Sequence, residues 1–326
     1  MMGKAKAVDD GNEEATMLRR MMRIVPLVFV LATGALTAPA MAQESTPAAS
    51  PGAGGGPDFT FVERPDFPEL AIVATKDGWQ VPAEVNAGRL LASLDNQAGV
   101  EFLDAQLMTM PEGVTLEEVE QVFAEEPGAG EGSNPSWLYD VVFPGGPIAL
   151  ADGRGEAVVD LAPGEYVVLS TDQEVIATLG AQPFIVVAGE DPASAAEPAS
   201  DAAIVEIDFA FKVPDGMTAG PQVWKVTNSG NDPHMLVLEQ TAEKITEEQV
   251  QALLEADTEG ATPAADLPDP EAFQPVGYVP VLSSGVSTWI PLTLQEGYQI
   301  ALCFVPDQTG RPHAAFGMHA VFEVGA

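Results

Sequence analysis

The sequence predicts an all-β protein made of two tandem β-sandwiches, each with one inserted α-helix. Short apolar or alternating runs, such as residues 222–227, 235–238 and 299–305, are bounded by Gly, Pro and Asn. Runs of this length and composition are typical of β-strands. A second observation, a repeat of about 130 residues, indicates that the strands fall into two similar units.

The repeat holds its spacing over most of its length. Residues 79–88 align with 211–220 at an offset of 132, and on the same offset Asn96 falls on Asn228. Later segments align at offsets of 131 (114–123 with 245–254) and 133 (161–170 with 294–303). Self-similarity at a nearly fixed offset predicts a duplicated domain.

One helix is predicted in each repeat from its start signal. Thr115 is followed three residues later by Glu118, and Thr246 by Gln249, which is the capping-box pattern. The apolar residues that follow recur at helical spacing, which favours a stripe packed on the core over a cofactor contact.

The N-terminal segment predicts export. Arg19, Arg20 and Arg23 precede an apolar run over 24–36, and residues 40–42 form a small-x-small cleavage site. Residues 1–42 are therefore a predicted signal peptide with an upstream extension, of either the general secretory or the twin-arginine type. No cysteine follows the cleavage site, which argues against a bacterial lipid anchor, and we expect a secreted, extracytoplasmic protein.

Composition sets the remaining boundaries. Residues 43–66 are rich in Pro, Gly and Ala and predict a disordered linker, and residues 189–202 predict a second linker. The two predicted domains are therefore residues 67–188 and 203–326.

The charge balance restricts the partners. The chain of 326 residues has a net charge of −36; without residues 1–42, 8 basic and 45 acidic residues remain, a net charge of −37. A nucleic-acid partner is excluded because a phosphate backbone requires a basic surface. No later apolar run is long enough to span a bilayer. Strong acidity favours solubility and cationic partners.

Metal-ligating residues are concentrated near the C-terminus. The segment 303–319 contains the only cysteine, Cys303, two of the three histidines, His313 and His319, and Met318; the third histidine is His234. Thiolate, two imidazoles and a weak thioether are the ligands of a trigonal copper centre. The alternative is packing, because a lone cysteine in an apolar strand is usually a small buried hydrophobe and Met318 could fill a gap.

These residues resemble the pattern of the cupredoxins, the blue copper proteins. The resemblance consists of 226–234 ending in His234, 297–303 ending in Cys303, then His313, Met318 and a terminal strand. It implies tandem cupredoxin-like Greek-key β-sandwiches, with one copper ion held by His234, Cys303 and His313 and by Met318 as the axial ligand. His319 is a possible substitute for a neighbouring ligand. Residues 67–190 resemble the family in fold only.

Two positions depart from the family pattern. Cys303 and His313 are ten positions apart, a longer step than the family usually has, and Met235 follows His234 where the family commonly has Asn. In the first repeat, the positions of the four ligands hold none of the ligand types: they are Phe102, Ser170, Ile176 and Ala181. The first domain is therefore predicted to lack a copper site.

The resemblance implies one-electron transfer to a redox partner protein. Copper storage or delivery is one alternative, and a metal-free interaction module that binds another protein or a cell surface is a second. An enzyme is not expected, because three histidines cannot build a second catalytic copper cluster and no Gly-x-Ser-x-Gly nucleophile motif is present.

Overall fold

The computed structural model describes residues 58–124, 135–189, 191–192, 195–258, 264, 267–269, 272–307 and 310–326. The predicted signal peptide and residues 43–57 of the predicted linker lie outside this range. The first unit comprises β1 (Glu69–Thr75), β2 (Gly78–Gln80), β3 (Glu84–Asn86), β4 (Gly88–Asn96), β5 (Phe102–Asp104), β6 (Gln106–Thr109), α1 (Leu116–Ala124), β7 (Ile148–Leu150), β8 (Arg154–Leu161), β9 (Gly164–Leu169), α2 (Gln173–Leu179) and β10 (Gln182–Val187).

The second unit has a similar but shorter series of elements. It comprises β11 (Ala202–Ile207), β12 (Ala210–Lys212), β13 (Gly220–Asn228), β14 (His234–Thr241), α3 (Glu247–Thr258), β15 (Gln274–Leu282), β16 (Ser287–Leu294), β17 (Gly297–Leu302) and β18 (His319–Val324). Short 3₁₀ turns occupy Ser136–Tyr139 and His313–Phe316. The prediction of an all-β fold is confirmed.

One sheet runs through both units. Its eight strands follow the order β12-β11-β13-β16-β8-β4-β1-β2, and β16 of the second unit pairs with β8 of the first. Four-stranded sheets, β3-β10-β9-β6 in the first unit and β15-β14-β17-β18 in the second, form the opposite layers. The alternating burial of β11 and β13 places every second side chain in the core between layers.

Matching hydrogen bonds show that the two units share their geometry. Asn96 and Asn228 are both fully buried at the end of β4 and β13. Each side-chain amide donates to the carbonyl four residues later and to a carbonyl 54 residues later, of Leu150 or Leu282. Each asparagine thus ties the following loop to a neighbouring strand and satisfies buried carbonyls.

Both predicted helices form, and both have the predicted capping boxes. The Glu118 amide donates to Thr115 Oγ1 and the Thr115 amide to Glu118 Oε2; Gln249 and Thr246 exchange the same pair of bonds. The prediction of one helix per unit is wrong for the first unit, which also contains α2. Asp172 caps α2 by accepting from the amides of Glu174 and Val175.

The end of the predicted N-terminal linker is ordered against the first unit. Phe59 bridges to Gly155, and the Phe61 amide donates to Glu156 Oε2 over 3.0 Å. Phe61 is buried in a cluster with Leu91 and Trp289, so it covers the outer face of the shared sheet. The expectation of disorder is therefore wrong from residue 58 onward, because aromatic side chains bury apolar area there.

The second predicted linker is also held in place. Arg89 is buried, forms a bidentate pair with Asp160 and donates to the Ala195 carbonyl. Its guanidinium carbon lies 4.5 Å from the Trp289 ring centroid, a cation–π distance. Arg89 thus holds the segment that connects the two units against the sheet, close to the pairing of β8 with β16.

Among the helices of the described segments, none has both the length and the apolar character required to cross a bilayer.

Candidate metal centre

Three buried donor atoms converge in the second unit. His234 Nδ1 and His313 Nδ1 are 3.2 Å apart, and Cys303 Sγ lies 3.9 Å from the first and 3.7 Å from the second. The side chains are 1%, 3% and 0% exposed. The structure therefore brings together three of the residues that the sequence predicted as ligands.

Each donor lies at the end of a regular element. His234 is the first residue of β14, and Cys303 directly follows β17. His313 begins a 3₁₀ turn after Pro312. Strand ends fix the backbone of a donor while leaving its side chain free to face the gap between sheets.

The long step from Cys303 to His313 is closed by backbone hydrogen bonds. The His313 amide donates to the Val305 carbonyl over 2.9 Å, and the Ala314 amide to the Cys303 carbonyl over 2.8 Å. The Cys303 amide donates to the Met318 carbonyl over 3.3 Å. The loop returns to its starting point, so the ten-residue spacing still delivers His313 beside the sulfur.

Asp208 orients the His234 ring by contacting Nε2, the ring nitrogen that does not face the other two donors. Its Oδ1 lies 3.3 Å from His234 Nε2, so an Nε2–H that donates to this carboxylate leaves the Nδ1 lone pair facing Cys303. Burial alone would raise the pKa of Asp208. Hydrogen bonds from Asn231, from the Asp232 amide and from His234 outweigh burial and lower the pKa to about 2. Asp208 is thus a fixed anion, and sequence reasoning missed it because nothing local marks it.

The turn from β11 to β12 shields the second histidine. Phe209 has a φ of 60°, which is uncommon for a bulky residue. Its ring centroid lies 5.3 Å from that of His313 and 6.0 Å from that of Phe316. This strained turn places an aromatic side chain over His313 and Asp208 behind His234, so both imidazoles are held by one short segment.

The protonation states suit metal binding. Burial lowers the pKa of His234 and of His313, so both imidazoles are neutral at neutral pH and keep a free lone pair. Burial raises the pKa of the Cys303 thiol to about 12, although hydrogen bonds from the Met235 and Val305 amides oppose that rise. Metal binding would therefore release the thiol proton.

Met318 and His319 face opposite sides, as alternation predicts. Met318 is fully buried in the same core cluster as Cys303. His319 Nε2 lies 3.0 Å from Gln251 Oε1 on α3 and is not part of the three-donor group. Its ring is held against the helix, and a role for His319 as a substitute ligand stays a prediction.

One further ionisable group near the site was missed by sequence reasoning. Glu206 on β11 is fully buried, neither of its carboxylate oxygens has a hydrogen-bond partner, and burial raises its pKa to about 8. It pairs with Asn228 as Ala74 pairs with Asn96 in the first unit. Glu206 and Ala74 are 132 positions apart, the same offset as between Asn228 and Asn96.

The first unit has a different buried group at the corresponding place. Asp104 accepts hydrogen bonds from the hydroxyls of Ser170 and Thr171 and from the Thr171 amide. Phe102 pairs with Leu150 as His234 pairs with Leu282. Among the described residues, the three-donor group of the second unit is the one arrangement of His, Cys and carboxylate side chains that could hold an ion.

The donor separations fit a first-row metal ion. Bonds of about 2.0–2.1 Å to nitrogen and about 2.3 Å to sulfur, arranged trigonally, place the donors roughly 3.5–3.8 Å apart. The observed separations of 3.2, 3.7 and 3.9 Å are close to that range. Two imidazoles and one thiolate are the strong ligands of a trigonal copper site, which commonly has a weak thioether as its axial ligand.

Comparisons with known proteins add structural neighbours. No family model and no curated protein matches the sequence. Similar solved structures include a reduced auracyanin from Roseiflexus castenholzii, 22% identical over 38% of this chain and 95% of its own, with a TM-score of 0.26. A copper nitrite reductase from Nitrosomonas europaea is 10% identical over 78% of this chain and 93% of its own, with a TM-score of 0.21. A multicopper oxidase covers 79% of this chain at 12% identity, with a TM-score of 0.21.

Proposed function

We propose that the second unit binds one copper ion through His234, His313 and Cys303, with Met318 as a weak axial ligand, and transfers single electrons. The observation that carries this proposal is the buried triangle of two Nδ1 atoms and one Sγ. When bound, copper supplies one-electron redox chemistry, and thiolate and thioether ligands favour its reduced state.

The chain contributes rigidity and exclusion of water. All three donors are held at strand ends or in a turn, and backbone hydrogen bonds close the loop between Cys303 and Met318. Asp208 holds His234 from the side away from the donors. A site with fixed ligands changes little when the charge of the ion changes, which favours fast electron transfer.

We infer that electrons enter and leave beside His313. The Phe209 and Phe316 side chains, each 42% exposed, contact each other there and form a small apolar surface. Asp208, Asp232 and Asp307 act electrostatically on His313 from nearby. The Arg311 guanidinium carbon also lies over this surface, 4.6 Å from the Phe316 ring centroid. On a chain with a net charge of −36, an apolar surface with carboxylates nearby suits a redox protein with a basic docking face.

The remaining features of the proposal concern location and origin. We propose that the protein is exported through the signal at residues 1–42 and works outside the cytoplasm as an electron carrier without an enzymatic reaction of its own. The shared asparagine bonds and capping boxes support an origin of the two units by duplication.

The test is the visible spectrum of the purified protein after addition of Cu(II). We expect an intense thiolate-to-copper band that is absent in Cys303→Ala and retained in His319→Gln, because His319 lies outside the donor group. A single copper equivalent bound as Cu(I), with no such band, would support storage or delivery instead. Zinc binding alone, or no metal bound, would overturn the copper proposal, and in the second case a metal-free interaction module becomes the better account.

A further inference from the structure

A tyrosine of the second unit links the first unit to the residues beside the candidate metal centre. Tyr278 on β15 lies with its hydroxyl 3.4 Å from Thr171 Oγ1 and 3.9 Å from Met235 Sδ. Thr171 donates in turn to Asp104 over 2.7 Å. A continuous line of polar contacts therefore runs from a buried carboxyl of the first unit to the residue that follows His234.

We propose that the first unit acts as a support for the metal centre, with Tyr278 as a positioning residue that holds Met235 against Cys303. The inference rests on the proposed function and assigns the ligand-free unit a role in that same site. Asp104 and Thr171 fix the position of the tyrosine. The tyrosine in turn fixes Met235, which lies next to two of the donor residues.

A change in the position of Met235 would affect two of the donor residues. Its backbone amide hydrogen-bonds to the Cys303 sulfur, and its neighbour His234 supplies one donor nitrogen. A displacement of Met235 therefore changes both the hydrogen bond to the sulfur and the imidazole position. Hydrogen bonds to a ligating sulfur tune the properties of the metal.

The neighbouring hydrogen bonds determine which group accepts the hydroxyl proton of Tyr278. A phenol has one proton, so the hydroxyl donates to Thr171 or to Met235, and not to both at once. Thr171 uses its own proton toward Asp104, which leaves its oxygen as an acceptor for Tyr278. The tyrosine is thus anchored by the first unit, while its hydroxyl oxygen lies 3.9 Å from Met235 Sδ.

The anchor itself is built from residues of the first unit that correspond to the ligand positions. Asp104 is 3% exposed and accepts from Ser170, which stands where the second unit has Cys303. Phe102, which stands where the second unit has His234, meets the Tyr278 ring edge-on with centroids 5.5 Å apart. The position of the missing site in one unit thereby packs against the site in the other.

The experiment compares Tyr278→Phe with Tyr166→Phe, a control in the first unit whose ring stacks on Phe184 within that unit's own core. In metal-free protein with ¹³C-labelled methionine methyls, we expect Tyr278→Phe to shift the Met235 resonance. In copper-loaded protein, we expect the charge-transfer band to move and copper to dissociate several-fold faster. Tyr166→Phe should change neither the Met235 resonance nor the band.

A second pair of variants protects the test if Tyr278→Phe does not fold. Thr171→Val removes the hydroxyl that anchors the tyrosine, whereas Thr171→Ser keeps it. We expect Val to shift the Met235 resonance and Ser to restore it. An unchanged resonance in Tyr278→Phe or Thr171→Val would overturn the inference. Absence of copper binding in the unmodified protein would overturn only the proposed function, because the methyl resonance is read without metal.

Discussion

The two units place different chemistry on the same backbone positions. At the strand position paired with Leu150 or Leu282, the first unit has Phe102 and the second has His234. After the strands β9 and β17, the first unit continues with Ser170 and the second with Cys303.

The comparison separates the work of the scaffold from that of the side chains. Both units create a buried place between the same strands, and in the first unit it is filled by an aromatic ring and a carboxyl satisfied by Ser170 and Thr171. In the second unit it holds three buried donors whose ligating atoms all lie within 4.8 Å of one another. The sandwich therefore supplies position, and the residue types decide whether an ion can bind.

The strongest test makes the second unit resemble the first. The double substitution His234→Phe with Cys303→Ser removes two of three donors, so we expect copper affinity to fall by well over the roughly 100-fold seen for outer-shell changes. Competition with a Cu(I) chelator measures the loss. The reverse change, Phe102→His with Ser170→Cys, should give no thiolate-to-copper band of the two-imidazole type, because Ile176 supplies no second imidazole. A double variant of the second unit with unchanged affinity would refute the ligand assignment.

A glycine tests the Asp208–His234 contact. A Cβ on Gly230 would lie 2.3 Å from Asp208 Oδ1 and 2.7 Å from His234 Nε2, whereas the corresponding residue of the first unit is Ala98. We expect Gly230→Ala to lower the free energy of unfolding of the metal-free protein by about 1–3 kcal/mol, because the neighbours must move. Gly325→Ala is the control, since nothing lies within 4 Å of its Cβ. Urea denaturation of both variants decides, and equal stabilities would contradict the steric argument.

Glu206 predicts a pH effect at a position where the first unit has Ala74, which does not ionise. Its pKa rises from an ordinary value of 4.5 to about 8 through burial, so the folded state holds the proton longer than the unfolded state. The contribution is complete below about pH 4.5 and is lost as the pH rises toward 8. Relative to Glu206→Gln, the unmodified protein should lose up to about 5 kcal/mol of unfolding free energy across this range, because each pKa unit corresponds to about 1.4 kcal/mol. Parallel pH profiles of the two metal-free proteins would show that the carboxyl ionises normally.

The smallest expected effect is shared by both units. Thr115→Ala and Thr246→Ala each remove a capping-box hydroxyl, so each should destabilise its helix by about 1 kcal/mol. Thermal unfolding followed by circular dichroism measures both. A much larger loss for one variant would show that its helix supports more than its own end.

The sequence predicted what depends on local pattern and on repetition. Local pattern and repetition predicted the strands, the capping boxes at Thr115 and Thr246, and the asparagines at matching positions. The convergence of His234, Cys303 and His313 was anticipated from a resemblance, and the structure supplies the distances.

Other features depend on contacts between distant segments. Asp208 lies 26 residues before His234 and has no pattern around it. The helix α2 has only seven residues, too few for periodicity to distinguish it from a loop. The ordered Phe59 and Phe61 follow a Pro/Gly-rich stretch, and only the apolar face of the distant sheet explains why they pack.

The pairing of β8 with β16 has a consequence for production and handling of the protein. Each of these strands would be an open edge if its unit stood alone, and an open edge is a template for pairing with another chain. In the complete chain each edge covers the other, with Thr288 Oγ1 donating to the Val158 carbonyl. Separating the two units would thus expose two unpaired edge strands. The isolated units should therefore aggregate under conditions in which the complete chain stays in solution.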